Sequence, residues 1–236
     1  MAADSRPLSA WFAWQSLRAT ARALCRRIDL TVEGLDHLPR EGPVMLASRH
    51  FHHFWDGCVL LATLPRPMRA TVTLDWVDDP RLLRLMTAAN AAAGWTVLPR
   101  ADGASSLPAS DRSRLLAASR LSVGALRNGE LVLVFPEGYP NIDPNPTPKT
   151  RDDEMLAFRP GFLRFAALAE RDGRTSVPIV PVGFEYQRGP QWRIAVRFGE
   201  PERPRPGDPG QLARLEADVR RLSGLPSTAA SREDAP

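Results

Sequence analysis

Short apolar runs alternate along the chain with longer segments of helical periodicity, and this order constrains the fold more than any other feature of the sequence. Helices are predicted at about residues 57–63, 80–92, 110–127, 160–171 and 209–222. Strands are predicted at Leu30–Glu33, Val44–Ser48, Ala70–Leu74, Trp95–Leu98, Leu131–Phe135, Val177–Val182 and Arg193–Phe198. Strands separated by helices are typical of an α/β fold, so we expect a mixed sheet with a largely parallel core, flanked by helices.

The N-terminal segment, about residues 8–27, predicts an amphipathic helix. Its apolar residues, Trp11 and Trp14 among them, recur at three-to-four spacing, and arginines spaced four apart form a row beside them. Two interpretations are open: a helix that lies in a bilayer interface, and a helix that docks on the protein's own core with a solvated arginine face. The net charge of +4 suits an anionic surface without demonstrating one.

Ligands of a parallel sheet bind outside the carboxyl ends of its strands, so the residues after each strand are the first to search for chemistry. Three of the four histidines lie together there, at His50, His52 and His53, and Asp56 follows them. A histidine paired with an aspartate is a general base, because imidazole accepts a proton near neutral pH and the carboxylate stabilises the imidazolium. Packing at a strand–helix corner would explain one histidine, whereas three beside an aspartate favour a functional site. A metal site is the weaker interpretation, since no histidine after His53 can complete a ligand set.

Three further segments place candidate residues at strand ends. The segment Gly94–Arg100 ends in a guanidinium that suits a phosphate or a carboxylate. In the turn Phe135–Gly138, Glu137 follows a run without polar alternation, which predicts a strand covered on both faces. Its carboxylate could bind a substrate hydroxyl or hold a neighbouring arginine such as Arg100. The segment Val177–Gly183 carries two prolines, which predict an edge strand or one with irregular pairing, and its apolar residues could line an acyl pocket or pack in the core.

The order of these segments resembles the phospholipid/glycerol acyltransferase family of the 1-acylglycerol-3-phosphate acyltransferase type. The matching stretches are Pro43–Gly57, Gly94–Arg100, Phe135–Gly138 and Val177–Val182. The resemblance implies His50 as the catalytic base and Asp56 as its partner, and Arg100, Phe135, Pro136, Glu137 and Gly138 as substrate-binding residues. It also implies transfer of a fatty acyl group from acyl-CoA or acyl-carrier protein to a hydroxyl of a lysophospholipid or similar lipid, with no metal or bound cofactor.

The chain departs from the family pattern around the catalytic pair. Arg49 stands where the family has asparagine, and five residues instead of four separate His50 from Asp56. One added extended residue lengthens a segment by ~3.3 Å, enough to break a hydrogen bond unless the loop bulges. His52 and His53 therefore remain alternative bases, since either would face Asp56 if the helix begins early.

A second departure follows the Phe-Pro-Glu-Gly turn. The family continues with Thr-Arg-Ser, but here Tyr139–Asn141 (Tyr-Pro-Asn) occupies these positions, so the arginine that helps to bind the acceptor phosphate is absent. Lys149 or Arg151, in the proline-rich loop 139–154, could replace it, although a surface position is the simpler explanation for Lys149. Two alternatives follow: an acyltransferase for a non-phosphate acceptor such as a glycolipid, and a catalytically impaired lipid-binding protein on the same fold.

The predicted organisation is an amphipathic helix at 1–28, for which both interpretations stay open, an acyltransferase domain at 29–224 and a disordered tail at 225–236. No run approaches the ~20 apolar residues of a membrane-spanning helix, and the N-terminus lacks the apolar core of a signal peptide. We therefore expect a cytoplasmic protein that associates peripherally with a membrane. The two cysteines have no CxxC spacing, which argues against a redox or zinc-ribbon motif.

Overall fold

The computed structural model describes residues 8–74, 77–97, 109–173, 175–205 and 207–227. The strands are β1 (Asp29–Glu33), β2 (Val44–Ser48), β3 (Met68–Val72), β4 (Thr96–Val97), β5 (Leu131–Val134), β6 (Ile179–Gln187) and β7 (Arg193–Phe198). The helices are α1 (Leu8–Cys25), α2 (Trp55–Thr63), α3 (Pro80–Ala92), α4 (Ala109–Arg127), α5 (Gly161–Glu170) and α6 (Gln211–Leu222), and a single 3-10 turn spans Leu35–His37. Each predicted strand and helix is found, with ends shifted by a few residues.

The strands form one sheet in the order β1-β7-β6-β2-β5-β3-β4. Every neighbouring pair is parallel except β6 and β7, which run antiparallel. The predicted mixed sheet with a largely parallel core is therefore confirmed. Strand β2 lies near the middle of the sheet and all five of its residues are buried, so the segment that follows it emerges from the most enclosed part of the fold.

Helices cover both faces of the sheet because successive side chains of each central strand point to opposite sides. On one face, α1 and α2 pack on Val44, Leu46, Leu131, Leu133, Val180 and Val182. On the other face, α4, α5 and α6 pack on Met45, Ala47, Val132 and Ile179. Burial on both faces explains why β2 and β5 have no polar alternation.

Strand β6 is not an edge strand, and that part of the prediction from its prolines is wrong. It pairs with β2 on one side and with β7 on the other. The prolines instead produce irregular pairing, the other predicted outcome. Ile179 forms an isolated bridge with Glu202, and the carbonyl of Pro181 accepts a hydrogen bond from the N–H of Gly199 before regular pairing with β7 begins at Val182.

Helix α1 docks on the core through one part of its predicted stripe only. Trp14 and Ala21 are buried, whereas Trp11 and Phe12 are 41% and 61% exposed. The arginine row is only partly solvated, because Arg18 stacks over Trp14 and Arg22 donates to the carbonyl of Ala62 in α2. Among the residues that the structure describes, no helix is long and apolar enough to cross a membrane.

Candidate active site

The site lies where the segments after β2 and β5 meet at the carboxyl edge of the sheet. These two strands are parallel neighbours, so Arg49–His53 and Phe135–Gly138 leave the sheet side by side. A hydrogen bond joins the two segments, because the backbone N–H of His50 donates to Oε1 of Glu137 at 2.8 Å. The imidazole of His50 stacks on Phe135, with ring centroids 4.0 Å apart and planes 15° apart. Two predicted site segments are thus in direct contact.

His50 and Asp56 form the hydrogen-bonded pair on which the sequence argument depends. Nδ1 of His50 lies 2.8 Å from Oδ2 of Asp56. Since the carboxylate accepts, Nδ1 carries a proton, and in the neutral ring Nε2 keeps its lone pair. The side chain of Asp56 is fully buried and that of His50 is 17% exposed. The geometry therefore fixes the orientation of one imidazole with limited access to solvent and leaves its Nε2 as the nitrogen that can accept a proton, as a general base requires.

The extra residue between His50 and Asp56 is absorbed by a bulge that wraps around the carboxylate. Oδ2 of Asp56 also accepts hydrogen bonds from the backbone N–H groups of Phe51, at 2.8 Å, and His52, at 3.1 Å. The chain therefore curves around Asp56 instead of extending past it. The lengthened spacing, which motivated the catalytically impaired alternative, does not separate the two side chains.

Tyr186, which the sequence analysis did not single out, completes the surroundings of Asp56. Its hydroxyl donates to Oδ1 of Asp56 at 2.5 Å. Burial raises the pKa of Tyr186 well above 10, and the negative charge of Asp56 adds to this increase. Its ring stacks on Phe51 and meets Trp192 edge to face. The sequence does contain a signal for Tyr186. Val182, Phe184 and Tyr186 are alternate residues on one face of β6, and this period-two pattern continues beyond Val182, where the strand was predicted to end.

The two alternative bases have other partners. Nδ1 of His52 accepts from the backbone N–H groups of Phe54, at 3.2 Å, and Trp55, at 3.5 Å, so this ring satisfies free donors at the start of α2. Burial lowers the pKa of His52 from 6.5 to about 4, which keeps the ring neutral at pH 7. Nδ1 of His53 lies 3.2 Å from the carbonyl oxygen of Ile142. Neither ring is hydrogen-bonded to Asp56 within the described part of the chain.

Glu137 and Lys149 form an ion pair that is closed to solvent. Nζ of Lys149 lies 2.6 Å from Oε2 of Glu137, and both side chains are fully buried. The interpretation of Lys149 as a surface residue is therefore wrong. Oε2 of Glu137 also accepts from the N–H of Leu156 at 2.9 Å. Since both carboxylate oxygens are occupied within the chain, this geometry gives Glu137 a structural task, and the predicted contact with substrate stays a prediction.

The other predicted site residues are spread around this centre. Pro136 is buried and accepts a hydrogen bond from the N–H of Arg159, and Gly138 takes a left-handed φ of 81°. Arg100 lies outside the described residues. The exposed guanidinium of Arg159 stacks over Tyr139, and its nearest atoms lie 3.3 Å from where a Cβ on Gly138 would stand. Arg159 is thus a described cation beside the Phe-Pro-Glu-Gly turn.

A metal site has no support among the residues that the structure describes. No group of three or more histidine, cysteine, aspartate or glutamate side chains is arranged there to hold an ion. The two oxygens of Asp56 already accept four hydrogen bonds from the chain. What the arrangement can do chemically is accept a proton at Nε2 of His50 and stabilise the resulting imidazolium.

Comparisons with known proteins bear on the fold and the family. A family model described as Acyltransferase matches residues 29–185. Among solved structures, the crystal structure of the 1-acyl-sn-glycerophosphate (LPA) acyltransferase PlsC from Thermotoga maritima is similar, with a TM-score of 0.63 and 16% sequence identity. The match covers 96% of this chain and 82% of that one, and at this identity it shows a common fold. A search of curated proteins found no match.

Proposed function

Since this chain belongs to the acyltransferase family, we propose that it moves a fatty acyl group from a thioester donor, acyl-CoA or acyl-carrier protein, to a hydroxyl of a lysophospholipid. The observation that carries the proposal is the contact of 2.8 Å between Nδ1 of His50 and Oδ2 of Asp56. A deprotonated alcohol attacks a thioester directly, so the reaction needs a base beside the acceptor hydroxyl and no protein nucleophile.

The proposed reaction has two stages. Nε2 of His50 takes the proton of the acceptor hydroxyl as its oxygen attacks the thioester carbonyl carbon, which forms a tetrahedral intermediate. The carbon–sulfur bond then breaks, the new ester remains, and the departing thiolate takes the proton back from His50. Asp56 stabilises the imidazolium between these stages, and its four hydrogen bonds hold the carboxylate in place for that purpose.

Arg159 supports a phosphate-bearing acceptor. Its guanidinium is exposed and lies beside the turn that contacts His50, and stacking on Tyr139 restricts its orientation. A guanidinium binds phosphate through paired N–H donors. We assign it the role that the family gives to the arginine missing after Gly138. Arg159→Gln should raise KM for lysophosphatidate more than KM for a monoacylglycerol, and equal effects on both acceptors would count against this role.

A membrane surface is the proposed source of the acceptor. Trp11 and Phe12 of α1 are exposed large apolar side chains, as are Leu82 and Leu85 of the neighbouring helix α3. Exposed aromatic residues with a positive net charge are typical of peripheral binding to anionic bilayers. In flotation with phosphatidylglycerol vesicles, the wild type should float with the vesicles, whereas the double variant Trp11→Ser/Phe12→Ser should not. Equal flotation of both would remove α1 from membrane binding.

The catalytic assignment is tested by single substitutions of His50, His52 and His53 with alanine. Purified proteins are assayed for release of free thiol from acyl-CoA and acyl-carrier protein, with and without a panel of lysolipids and glycolipids. His50→Ala should lose activity by at least about 10²-fold, the contribution of a positioned general base. His53→Ala should keep most of it. Full activity of His50→Ala would disprove the assignment, and a wild type that consumes no thioester with any acceptor would disprove the function.

A further inference from the structure

The loop 139–154 pairs with the segment 50–53 at Ile142. The N–H of Ile142 donates to the carbonyl of Phe51 at 2.8 Å, and the N–H of His53 donates to the carbonyl of Ile142 at 3.0 Å. His52 and Ile142 thereby form an isolated parallel bridge. The backbone of the segment that contains the additional residue is thus hydrogen-bonded to the loop.

Arg49 ties the same loop to the end of β2. One terminal nitrogen of its guanidinium donates to the carbonyl of Asp152 at 2.5 Å, and the other terminal nitrogen donates to the carbonyl of Phe184 at 2.9 Å. The guanidinium is buried and stacks over Phe51. A residue that departs from the family pattern therefore contacts the loop that contains the other departure.

Lys149 makes the most direct contact between the loop and the base. Its Nζ donates to the carbonyl oxygen of His50 at 2.7 Å, to Oδ1 of Asn141 at 3.2 Å and to Oε2 of Glu137 at 2.6 Å. An ammonium group has three donors, so these partners use all of them. Glu137 in turn accepts the N–H of His50. One buried ion pair thus binds both polar atoms of the His50 backbone.

From these contacts we propose that Lys149 is a positioning residue for the catalytic base: with Glu137 it fixes the backbone of His50, and through it the location of Nε2. This inference rests on the proposed function of His50. The ring is already fixed at Asp56 and by stacking on Phe135, and the N–H of Phe51 also donates to Asp56. The N–H and the carbonyl of His50 itself are bound by the ion pair, which holds them in place because separating a buried carboxylate from a buried ammonium would leave both charges unpaired.

The test uses Lys149→Met and the double variant Lys149→Met/Glu137→Gln. The single variant leaves a buried carboxylate without its cation, so it is expected to be less stable than the double variant, which has no unpaired charge. Glutamine at 137 can still accept the N–H of His50, whereas no group replaces the contact with its carbonyl. Arg221→Met is the matched control for loss of one cation, because Arg221 pairs only with exposed Asp218 in the contacts that are described.

Two measurements separate a positioning role from loss of folding and from failure of the proposed function. Amide hydrogen exchange should be faster in the double variant at residues 50–53 and 142, with no change in α6. The variant's kcat should fall about 10–100-fold with KM near that of the wild type, since misplacement of a reacting group affects the chemical step. Arg221→Met should match the wild type in both measurements.

Wild-type exchange at residues 50–53 together with wild-type kcat in the double variant would overturn the proposal. So would a loss confined to KM. If the wild type itself transfers no acyl group, the proposed function fails, and the exchange comparison still decides whether Lys149 holds the segment.

The reactivity of Lys149 gives a further check, because it is the only lysine in the sequence. Acetic anhydride should modify it far more slowly in the native chain than in urea, and equal rates would show that the ion pair does not form.

Discussion

Replacing Tyr186 by phenylalanine removes one hydroxyl from the surroundings of Asp56 and little else. The ring of Tyr186 stacks on Phe51 with centroids 4.3 Å apart and meets Trp192 at 5.8 Å, contacts that phenylalanine keeps. The hydroxyl is the only described donor to Oδ1 of Asp56, whereas Oδ2 has three. The substitution therefore leaves one oxygen of a fully buried carboxylate without a hydrogen bond.

A hydrogen bond to a charged group contributes about 1.5–3 kcal/mol, and we expect the free energy of unfolding to fall by that amount. For a chain of this length, the corresponding decrease in Tm is about 3–12 °C. If Asp56 also loses about 1 kcal/mol of stabilisation for the imidazolium, kcat falls about fivefold. KM should stay near the wild-type value because the ring still fills its place.

Urea denaturation followed by tryptophan fluorescence measures the first quantity, and steady-state thiol release measures the second. Tyr139→Phe is the matched control, since it deletes a tyrosine hydroxyl outside the described contacts of Asp56. A Tyr186→Phe protein with wild-type stability and wild-type kcat would refute the reasoning. A change in KM alone would show that Tyr186 contacts substrate and does not orient Asp56.

Three further predictions concern titration and packing. In Tyr139→Phe the phenolate absorbance comes from Tyr186 alone and should appear only well above pH 10, and a transition near 10 in the folded protein would contradict its burial beside Asp56. Because the pKa of His52 falls from 6.5 to about 4 on folding, the unfolded chain binds the proton first. Stability should therefore fall by about 1–2 kcal/mol as pH drops through this interval, after allowance for solvent screening, and His52→Gln should flatten that slope. A Cβ on Gly183 would stand 2.3 Å from the backbone of Leu222, so Gly183→Ala should destabilise the protein by about 1–3 kcal/mol in urea denaturation. Gly124→Ala, in open space on α4, should stabilise it by about 0.5–1 kcal/mol, and a Gly183→Ala protein that is as stable as the wild type would contradict the packing of α6 on β6.

Residues that lie close together in the sequence made much of the site predictable. The limits of β2 and β7 agree with the predicted ones, since β2 is a continuous buried run and the buried residues of β7 alternate along the strand. The pairing of His50 with Asp56 was also accessible, because only a short segment separates them and a bulge can correct its length. Spacing alone could not choose among His50, His52 and His53, as the choice depends on where the backbone N–H groups point.

The amino-acid sequence by itself determined the alternation of strands and helices, the largely parallel sheet and the segment that carries the proposed base. Only the tertiary structure decided that Tyr186 binds Asp56, 130 residues away, and that Lys149 binds the backbone of His50, 99 residues away. Periodicity reports which face of an element is apolar, and this is a local property of the chain. A hydrogen bond between distant residues depends on the register of neighbouring strands and on the path of a loop. These are fixed only when the whole core packs, which is why the sequence did not show the partner of a tyrosine beyond a predicted strand end or of a lysine in a proline-rich loop.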